Sequence, residues 1–438
     1  MTRQEAEDYI YASYMRALPF LSYDMPDSEK RHPGYTEGII KKHYAGTPSV
    51  AVTGSKGKGS VAYILSRILS LYGKTGLMTG PHIESFNERF RAGDSVIGDD
   101  EFAGIISSLT PELESIKCDP GKGEFISPIG IETAAAEVFF LRHHTDYDIY
   151  EHGKGVRYDD VKNVPASYGI INTIFLEHTR ELGGTLKDIA RDKACIIRPG
   201  MKGIYAGWQS DEVRDIITEM ARENKVPLKL AGRDFDVSDI VFHDMGMSCT
   251  VTTGRRSYSS LGISLMGSAQ CRNLALALAA AEDIAGEGFC ASDEDMEGLR
   301  KVLSELSWFG RLSVLSRDPF VLADCCINRA SAAGALEVLK ELGIYKALFI
   351  LAIPDDKDYL GVAQAVAREG HDIVLTRISN AHYRFTGVQT ERLREAGISC
   401  GYAEDITEAI GQAEGPAAIL GTTAMLPAVK SYFDRRSI

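Results

Sequence analysis

A glycine-rich turn from Gly54 to Ser60 holds the residues whose types and spacing are best suited to chemistry. It lies between an apolar run, 49–53, and a segment with apolar residues at helical spacing, 61–72, after which Gly73 is predicted to end the helix. Such a turn lets backbone N–H groups point at a phosphate, and the helix N-terminus adds partial positive charge. The turn would be formed by Gly54, Gly57 and Gly59, with Lys58 on the phosphates and Ser60 on magnesium. The spacing G-x-x-G-K-x-S fits the general phosphate-loop pattern in part and predicts a site for a phosphate-bearing ligand.

Two further groups of polar residues follow predicted strands. A short strand at 147–150 ends at Glu151, and a strand at 169–175 leads into Glu177 and His178. In an open α/β sheet, ligands bind at the carboxyl ends of the parallel strands. We therefore expect these side chains at the same edge of the sheet as the glycine turn.

Lys193 lies on the apolar side of a predicted helix, 185–198. Thr185 and Asp188 resemble a capping box at the start of this helix, and Lys193 falls four residues after Ile189 on its inner stripe. A lysine that points inward is unfavourable unless it is paired or modified. On spacing alone, a lysine that extends along the rim into solvent is an equally good interpretation.

Composition limits the class of protein. The 438 residues suffice for two or three domains, and the sequence has no apolar run long enough to span a membrane. The formal net charge of −13 argues against general affinity for nucleic acid or anionic membranes. The eight cysteines include no C-x-x-C pair, and the N-terminus lacks a signal-peptide core, so a reduced, cytoplasmic location is expected.

The order of predicted elements indicates an α/β protein with two domains. Residues 1–48 read as one or two helices before the first strand. Short alternating strands at 229–265 predict a small antiparallel sheet, followed by a helix at 268–285. Strands alternating with helices beyond residue 291 predict a second parallel sheet, and we place the boundary between domains 1–290 and 291–438.

Several motifs in the same order resemble the folylpolyglutamate synthase branch of the Mur ligase superfamily. The phosphate turn is similar to V-x-G-T-N-G-K-G-S, and the segments 74–89 and 176–194 are similar to K-T-G-L…S-P-H-L…F-N-E-R and L-D-H-T-x-x-L-G…A-R-E-K-A. Gly267, Gln270 and Asn273 are similar to G-x-H-Q-x-x-N, while 310–312 and 322–328 are similar to P-G-R-x and L-D-G-A-H-N-P. The resemblance implies a central ATPase domain of the Mur ligase type, with a parallel-rich sheet and a small antiparallel sheet, followed by a Rossmann-like C-terminal domain.

The activity implied by this resemblance is ATP-dependent formation of an amide bond. ATP phosphorylates a small-molecule carboxylate to an acyl phosphate, the amine of an amino acid attacks it, and ADP and phosphate leave. Lys58 would hold the phosphates, and Ser60, Glu151 and His178 would coordinate magnesium. Lys193 matches the lysine that this family carbamylates, and a carbamate would ligate a second magnesium. Gln270 and Asn273 would contact the nucleotide, Arg311 its phosphates and Asp324 its ribose, so catalysis would require the domains to close.

The sequence departs from the family's motifs near the reacting groups. Gly80 replaces the serine of S-P-H-L, a usual metal ligand, and Ile327 replaces the histidine of D-G-A-H-N-P, which lies near the incoming amino acid. Ala269 replaces the histidine of H-Q, Glu177 replaces an aspartate, and one residue is inserted before Asn163. When a binding pocket loses a polar side chain, it binds the same ligand less tightly. The ligand group that this side chain contacted is then removed from water without a hydrogen-bond partner. The amino acid and the acceptor are therefore expected to differ from glutamate and folate.

Further candidates for substrate contacts are Pro81, His82, Asn328, His382 and Arg384. His382 and Arg384 follow a strand ending at Thr376 and could bind a substrate carboxylate.

Three functions remain open from the sequence. The first is an amide ligase acting on a pteroylglutamate or a similar acid, and the second is a ligase that joins an amino acid to another metabolite or cell-envelope precursor. The third is a nucleotide-binding partner protein that has lost ligation. Gly80 and Ile327 count against a strict folate enzyme. The third function is disfavoured by the presence of Lys58, Ser60, Glu151, His178, Lys193, Arg311 and Asp324. The sequence leaves the oligomeric state open.

Overall fold

The predicted phosphate-loop strand is an inner strand of a mostly parallel sheet. The computed structural model describes residues 1–22, 25–379 and 383–435. Its strands are β1 (Ser49–Thr53), β2 (Thr75–Met78), β3 (Phe90–Ala92), β4 (Ser95–Val96), β5 (Tyr147–Glu151), β6 (Tyr168–Ile171), β7 (Gly203–Ala206), β8 (Leu228–Leu230), β9 (Phe235–His243), β10 (Gly246–Thr253), β11 (Ser257–Ile263), β12 (Ser313–Arg317), β13 (Phe320–Cys325), β14 (Leu348–Ala352), β15 (Asp372–Thr376), β16 (Gly401–Ala403) and β17 (Ala417–Gly421).

The helices precede, separate and follow groups of these strands along the chain. They are α1 (Arg3–Ala17), α2 (Asp27–Lys30), α3 (Gly34–His43), α4 (Lys58–Leu69), α5 (Asp99–Glu114), α6 (Pro128–His143), α7 (Thr179–Leu182), α8 (Leu186–Ala194), α9 (Asp211–Asn224), α10 (Ser268–Ala285), α11 (Asp293–Ser304), α12 (Arg329–Glu341), α13 (Tyr359–Arg368), α14 (Val388–Glu395), α15 (Ile406–Gly411) and α16 (Leu426–Asp434). Among the described residues, every helix is too short or too polar to cross a lipid bilayer.

Two compact units divide the chain, and each consists of three segments. The first contains 1–237, 251–258 and 272–302, and the second contains 238–250, 259–271 and the chain from Leu303 onward. The segments of the two units alternate along the sequence between 237 and 303. The boundary between 290 and 291 stays a prediction.

The first unit contains the larger sheet. Within the described residues this sheet has eight strands in the order β4-β3-β2-β5-β1-β6-β7-β8. β1 pairs in parallel with β5 and with β6, while β3 and β4 add an antiparallel edge. All five residues of β1 are buried, as expected for a strand covered on both faces. This arrangement brings the residues after β1, β2, β5 and β6 to one edge of the sheet.

Two apolar clusters hold the helices of this unit in place. Aromatic and aliphatic side chains of α1, α5, α6 and the segment before β3 form one cluster, which includes Ile10, Phe86, Phe102 and Phe139. The other contains Ile189 of α8 and Ile217 of α9 with residues of β6 and β7. Burial of such side chains contributes about 25 cal/mol for each square ångström of apolar surface removed from water. Apolar residues of the 1–48 segment, such as Ile10 and Ile40, are thus part of the core of the first unit.

The remaining strands form a second parallel sheet and a small antiparallel one. In the part of the chain that is described, six strands follow the order β12-β13-β17-β14-β15-β16, and β12 is the antiparallel edge. A three-stranded sheet has the order β11-β10-β9. Together with the first sheet, these confirm the predicted α/β class with a parallel-rich sheet, a small antiparallel sheet and a second, Rossmann-like sheet.

Several predicted element ends were wrong. The helix after the phosphate turn ends at Leu69, and the predicted stop Gly73 is not left-handed. Instead, a Cβ on Gly73 would lie 2.8 Å from the Asp146 carboxylate, so packing explains the glycine. Within its described residues, 1–22 and 25–48, the N-terminal segment forms three α-helices where one or two helices were expected.

Candidate active site

The glycine turn has the shape expected of a phosphate cradle. Gly57 is in the left-handed conformation, with φ of +78°, directly before the first residue of α4. A Cβ on Gly57 would lie 2.6 Å from Nδ2 of Asn172 and 3.0 Å from Oδ1 of Asn273. A side chain at this position would therefore be both strained and obstructed. The turn leaves the N-terminus of α4 facing outward from β1, where backbone N–H groups can bind an anion.

Glu151 lies against the first turn of α4. Its Oε2 accepts a hydrogen bond of 3.1 Å from the backbone N–H of Gly80, and a Cβ on Gly59 would lie 3.0 Å from the same oxygen. Ser60, in the same helical turn, is buried. The structure thus brings the predicted carboxylate at the end of β5 next to the glycine turn at the end of β1.

Lys193 points inward from α8 and reaches the glycine turn. Its side chain is fully buried, which excludes the interpretation of a lysine at the rim. Nζ donates hydrogen bonds to the carbonyl oxygens of Gly54, at 2.9 Å, and of Lys154, at 2.7 Å, and it lies 3.1 Å from Oε1 of Glu177. Burial, reinforced by the nearby Lys58 cation, lowers the pKa of Lys193 to about 8.

Lys58 and Lys193 meet at one backbone oxygen. Nζ of Lys58 also donates to the carbonyl oxygen of Gly54, at 3.2 Å. Two ammonium groups that share one acceptor repel each other, and an anion placed over the turn would relieve this repulsion. The cluster is therefore suited to bind a highly charged anion such as the phosphates of a nucleotide.

His178 lies next to this cluster in an unusual backbone conformation. It is left-handed, with φ of +47°, and precedes the short helix α7. Its Nε2 lies 3.7 Å from Oε2 of Glu177. Burial lowers the pKa of His178, which favours the neutral ring with a lone pair that can bind a metal.

Several residues that shape this site were missed by the sequence analysis. Asn172, after β6, donates through Nδ2 to Oδ1 of Asn273 at 2.8 Å, and the pair lies beneath Gly57. Asp192 precedes Lys193 on α8, and its carboxylate accepts the N–H of Val156 at 2.7 Å. The sequence carries no local signal for these contacts, because each joins residues more than thirty positions apart.

Lys154, in the loop after β5, also has a defined position. Its ammonium group forms an ion pair of 2.7 Å with Glu181 of α7, while its carbonyl oxygen accepts from Lys193. The 152–156 loop is thereby fastened to both α7 and α8. Lys154 is a structural addition to the site, placed on the side of His178.

The predicted residues of the second unit have local structural contacts. Asp324, near the end of β13, accepts the N–H of Leu312 at 3.1 Å, and Arg311 donates to the carbonyl oxygen of Gly310 at 3.2 Å. Gln270 is buried in the first turn of α10. Asn328 caps α12, where its Oδ1 accepts the N–H of Ser331 at 2.9 Å, so its side chain already has a structural function. Their roles toward nucleotide or substrate stay predictions.

The remaining substrate candidates are distributed differently. Pro81 and His82 follow β2, and His82 accepts a hydrogen bond from Arg89. Arg384 has an exposed side chain, and its carbonyl oxygen accepts from the N–H of Asp355. His382 lies outside the described residues.

The side chains do not form a preassembled metal centre. Among the described residues, no group of three or more His, Cys, Asp or Glu side chains is positioned to hold a metal ion. Of the predicted magnesium ligands, only Glu151 and His178 belong to these four residue types. The other two predicted ligands are the hydroxyl of Ser60 and the carbamate of Lys193. The hydroxyl and carboxylate oxygens in this set are the hard donors that magnesium prefers, so the residues fit the ion.

Comparison with known families agrees with the geometry of the glycine turn and its surroundings. The family "Mur ligase middle domain" matches residues 52–281, which is more than half of the chain and spans the turn, Glu151, His178 and Lys193. The chain belongs to the Mur ligase superfamily. The predicted resemblance is therefore confirmed, and the protein is an ATP-dependent ligase of an acid and an amino acid.

Relatives of this Mur ligase include enzymes of folate metabolism. It is 29% identical over 298 residues to the dihydrofolate synthase/folylpolyglutamate synthase of Bacillus subtilis, covering 66% of this chain and 67% of the relative. It is 25% identical over 396 residues to the folylpolyglutamate synthase of Lacticaseibacillus casei, covering 89% and 91%.

Solved structures support the fold of the whole chain. The apo form of the L. casei folylpolyglutamate synthase superposes with a TM-score of 0.81 at 21% identity, covering 98% of this chain and 99% of the other. The Mycobacterium tuberculosis folylpolyglutamate synthase complexed with ADP gives a TM-score of 0.82 at 22% identity, covering 93% and 96%. At this identity the comparison establishes the shared architecture.

Proposed function

We propose that this ligase activates a small-molecule carboxylate as an acyl phosphate at the glycine turn and transfers it to the amine of an amino acid. The observation that carries the proposal is the convergence on Gly54 of Lys58 and Lys193, with Glu151 against the adjoining helical turn. Cations that meet at a glycine turn suit a polyphosphate, and a buried carboxylate beside them suits its metal.

The phosphate contacts follow from the first turn of α4. Lys58 is the first residue of this helix, so its side chain and the free backbone N–H groups lie on the same side as the open end of the turn. Transfer of a phosphoryl group develops charge on its oxygens, and fixed cations stabilise that charge more than mobile water does. Lys58 therefore has the role of neutralising the transferred group.

Magnesium would be held by Ser60, Glu151, His178 and the carbamate form of Lys193. When bound, it neutralises the oxygens of the phosphates and polarises the phosphorus that the carboxylate attacks. In the described structure, Gly80 donates its N–H to Glu151 and so orients the carboxylate without contributing a side chain. This backbone contact occupies the corner where the family's serine would be expected.

Carbamylation of Lys193 would reverse the charge at the centre of the cluster. The amine adds to carbon dioxide, a nitrogen–carbon bond forms, and a proton leaves, so that a cation becomes an anion. Glu177 is 3.1 Å from this nitrogen and favours the ammonium form when nothing else is bound. Two neighbouring anions require a cation between them, so carbamylation and metal binding are expected to support each other.

The substrates are proposed to differ from those named for the relatives. Ile327 replaces a histidine and is 37% exposed, so an apolar side chain stands where a polar partner of the amino acid is expected. At Gly80, a Cβ would be in ordinary van der Waals contact with Nη1 of Arg89, at 3.7 Å, so packing does not require the glycine that replaces the family's serine. We infer an amino acid less dependent on a polar contact than glutamate and an acceptor related to, but distinct from, a folate.

A matrix of substrates tests the proposal directly. Phosphate release from ATP would be measured with several acids, including a dihydropteroate and a folate, against the twenty amino acids. We expect release that depends on both an acid and an amino acid, and its loss in Lys193→Ala. Lys187→Ala is the matched control, since Lys187 lies on the same helix with an exposed side chain.

Two outcomes would change the proposal. Extension of a folate with glutamate at a rate above all other pairs would remove the proposed difference in substrates. Nucleotide binding without stimulation by any pair would favour the alternative, a nucleotide-binding partner protein that has lost ligation.

A further inference from the structure

A chain of three polar side chains leads from the core of the first unit to the loop after β2. Glu132 of α6 is only 2% exposed, and its Oε2 lies 2.7 Å from Nη1 of Arg89. Nε of Arg89 donates a hydrogen bond of 3.1 Å to Nδ1 of His82. The guanidinium group also lies 4.6 Å from the ring centre of Phe86, which fixes its plane. Arg89 is thus held on three sides.

This contact determines which nitrogen of His82 carries the proton. A guanidinium group can only donate, so Nδ1 of His82 must accept with its lone pair. The proton of a neutral ring is then on Nε2. Among the described residues, Nε2 has no hydrogen-bond partner, and His82 is half-buried at the carboxyl end of β2. The Nε2–H group of His82 is therefore held in one orientation and has no acceptor among the described residues.

The position of His82 indicates what it would bind. β2 pairs in parallel with β5, so the loop after β2 lies beside Glu151, and Gly80 of this loop donates to that carboxylate. The carboxylate to be phosphorylated must come to the same edge of the sheet. An N–H donor at this edge is suited to one oxygen of that carboxylate.

We propose that Glu132 and Arg89 are positioning residues that hold His82 as the neutral Nε2–H tautomer, and that His82 donates this hydrogen to the acceptor carboxylate. The identity of the ligand rests on the proposed function, whereas the assignment of the His82 tautomer does not depend on it. A neutral donor binds the carboxylate without forming an ion pair, so the oxygen keeps its nucleophilicity toward phosphorus. The same donor remains available across the range in which an ordinary histidine titrates.

The surroundings of His82 support a neutral ring. Burial, together with the Arg89 cation, lowers the pKa of His82. The other charged groups that act on it are Glu7 and Arg3 of α1 and Glu88. Glu7 is paired with Arg3 at 3.0 Å, and Glu88 accepts three backbone N–H groups, so neither carboxylate is free to draw a proton onto the ring.

Nitrogen NMR of the whole protein tests the tautomer without any substrate. Histidine labelled with ¹⁵N would be observed in long-range proton–nitrogen correlations at pH 7, and the His82 signals assigned by their loss in His82→Gln. We expect a protonated Nε2 and an unprotonated Nδ1. A protonated Nδ1, or a charged ring, would overturn the proposal.

The role of Arg89 requires a variant that still folds. Removal of Arg89 alone would leave the Glu132 carboxylate buried and unpaired, so Arg89→Met is combined with Glu132→Gln. In this double variant we expect His82 to sample both tautomers and to titrate closer to its ordinary range. An unchanged His82 spectrum would show that Arg89 does not position the ring.

Kinetic measurements distinguish a role of His82 as hydrogen-bond donor from a purely structural role of its ring. The amide nitrogen of glutamine can occupy the position of Nε2, and that of asparagine the position of Nδ1. With the acceptor that gives the fastest phosphate release in the substrate matrix, we expect His82→Asn to lower kcat/KM for the acceptor roughly 10- to 100-fold, as for the loss of one hydrogen bond to a charged group.

The matched variant and the nucleotide are the internal controls. We expect His82→Gln to restore most of the activity, with an unchanged KM for ATP in both variants. Equal losses in both variants would contradict the donor role. If no acceptor is turned over, the proposed function fails, and the NMR result alone decides whether Arg89 fixes the tautomer.

Discussion

Nζ of Lys193 lies 2.9 Å from the carbonyl oxygen of Gly54, the first residue of the phosphate turn. The contact joins residues 139 positions apart, from a helix after β6 to the loop after β1. It means that a change in the charge of Lys193 acts directly on the backbone that cradles the phosphates. The state of this one nitrogen is therefore central to the proposed mechanism.

The first prediction concerns a covalent carbamate on Lys193. Protein equilibrated with ¹³C-bicarbonate and magnesium is expected to show a carbamate carbon by NMR, and Lys193→Ala is expected to lack it. Phosphate release by Lys193→Ala should fall by at least about 100-fold, because a metal ligand is lost. Lys187→Ala should keep both the signal and the activity. Full turnover by Lys193→Ala would mean that the lysine serves only as a buried cation.

Glu151→Gln separates the charge of the carboxylate from its structural contact. Glutamine can still accept the N–H of Gly80, so we expect the fold and the melting temperature to change little. Loss of the negative charge should lower phosphate release roughly 100- to 1,000-fold, as expected when a group that stabilises the transferred charge is removed. Glu181→Gln, which removes a partly exposed carboxylate of the same site, is the control. Comparable losses in both variants would indicate a general electrostatic effect.

The sequence pattern within a single helix was sufficient to predict features of the site that lie in that helix. Helical spacing placed Lys193 on the inner face of α8, and the capping box of Thr185 and Asp188 is present in the structure. Ile189 on the same stripe lies in the core, but the spacing left a lysine at the rim equally possible, and only the fold shows that the Lys193 side chain is buried. The family motifs then implied the roles of these residues toward ATP and magnesium, which the spacing could not.

Side chains that replace backbone partners account for the early end of β6. The strand predicted to reach Phe175 ends at Ile171, because Oδ1 of Asn172 accepts the N–H of Thr173 and Oε1 of Gln209 accepts that of Ile174. Backbone bonds to the segment after β1 continue to Thr173, whose carbonyl oxygen accepts from Ser55, but the N–H of Ile174 bonds a side chain. Only the position of Gln209 in the folded chain reveals the end of the strand.

The helix around Lys193 ends early for a different reason. It was predicted to reach Arg198 and ends at Ala194. The next N–H groups, of Cys195, Ile196 and Ile197, bond three residues back instead of four. The chain tightens there while its apolar residues stay buried, so the helical pattern of the sequence persists beyond the α-helix.

Two glycines with nearly equal backbone angles test the cradle. Gly46 has φ of +79° and Gly57 has φ of +78°, but a Cβ on Gly46 would meet no atom within 4 Å. Gly46→Ala is expected to lower the free energy of unfolding by about 1–2 kcal/mol, the cost of a left-handed residue. Gly57→Ala should lower the free energy of unfolding, measured by urea titration, by more than this amount. It should also weaken ATP binding, measured by calorimetry. Equal effects of both substitutions would show that Asn172 and Asn273 do not restrict the turn.

The final prediction is a pH dependence of stability that arises away from the active site. Glu137 of α6 is 1% exposed, and burial raises its pKa to about 8 from an ordinary 4.5. The folded state therefore keeps a proton that the unfolded state loses above about pH 4.5. Its contribution to stability is complete below that pH and is lost as the pH rises toward 8.

Glu137→Gln removes this dependence because the amide does not titrate. Relative to the unsubstituted protein, the variant should gain roughly 2–4 kcal/mol in the free energy of unfolding between pH 5 and pH 8. Urea unfolding at several pH values measures this difference. Glu219→Gln, on an exposed face of α9, should show no such change. A constant difference between Glu137→Gln and the unsubstituted protein at all pH values would mean that Glu137 is ionised in the folded state, because only a retained proton makes the difference depend on pH.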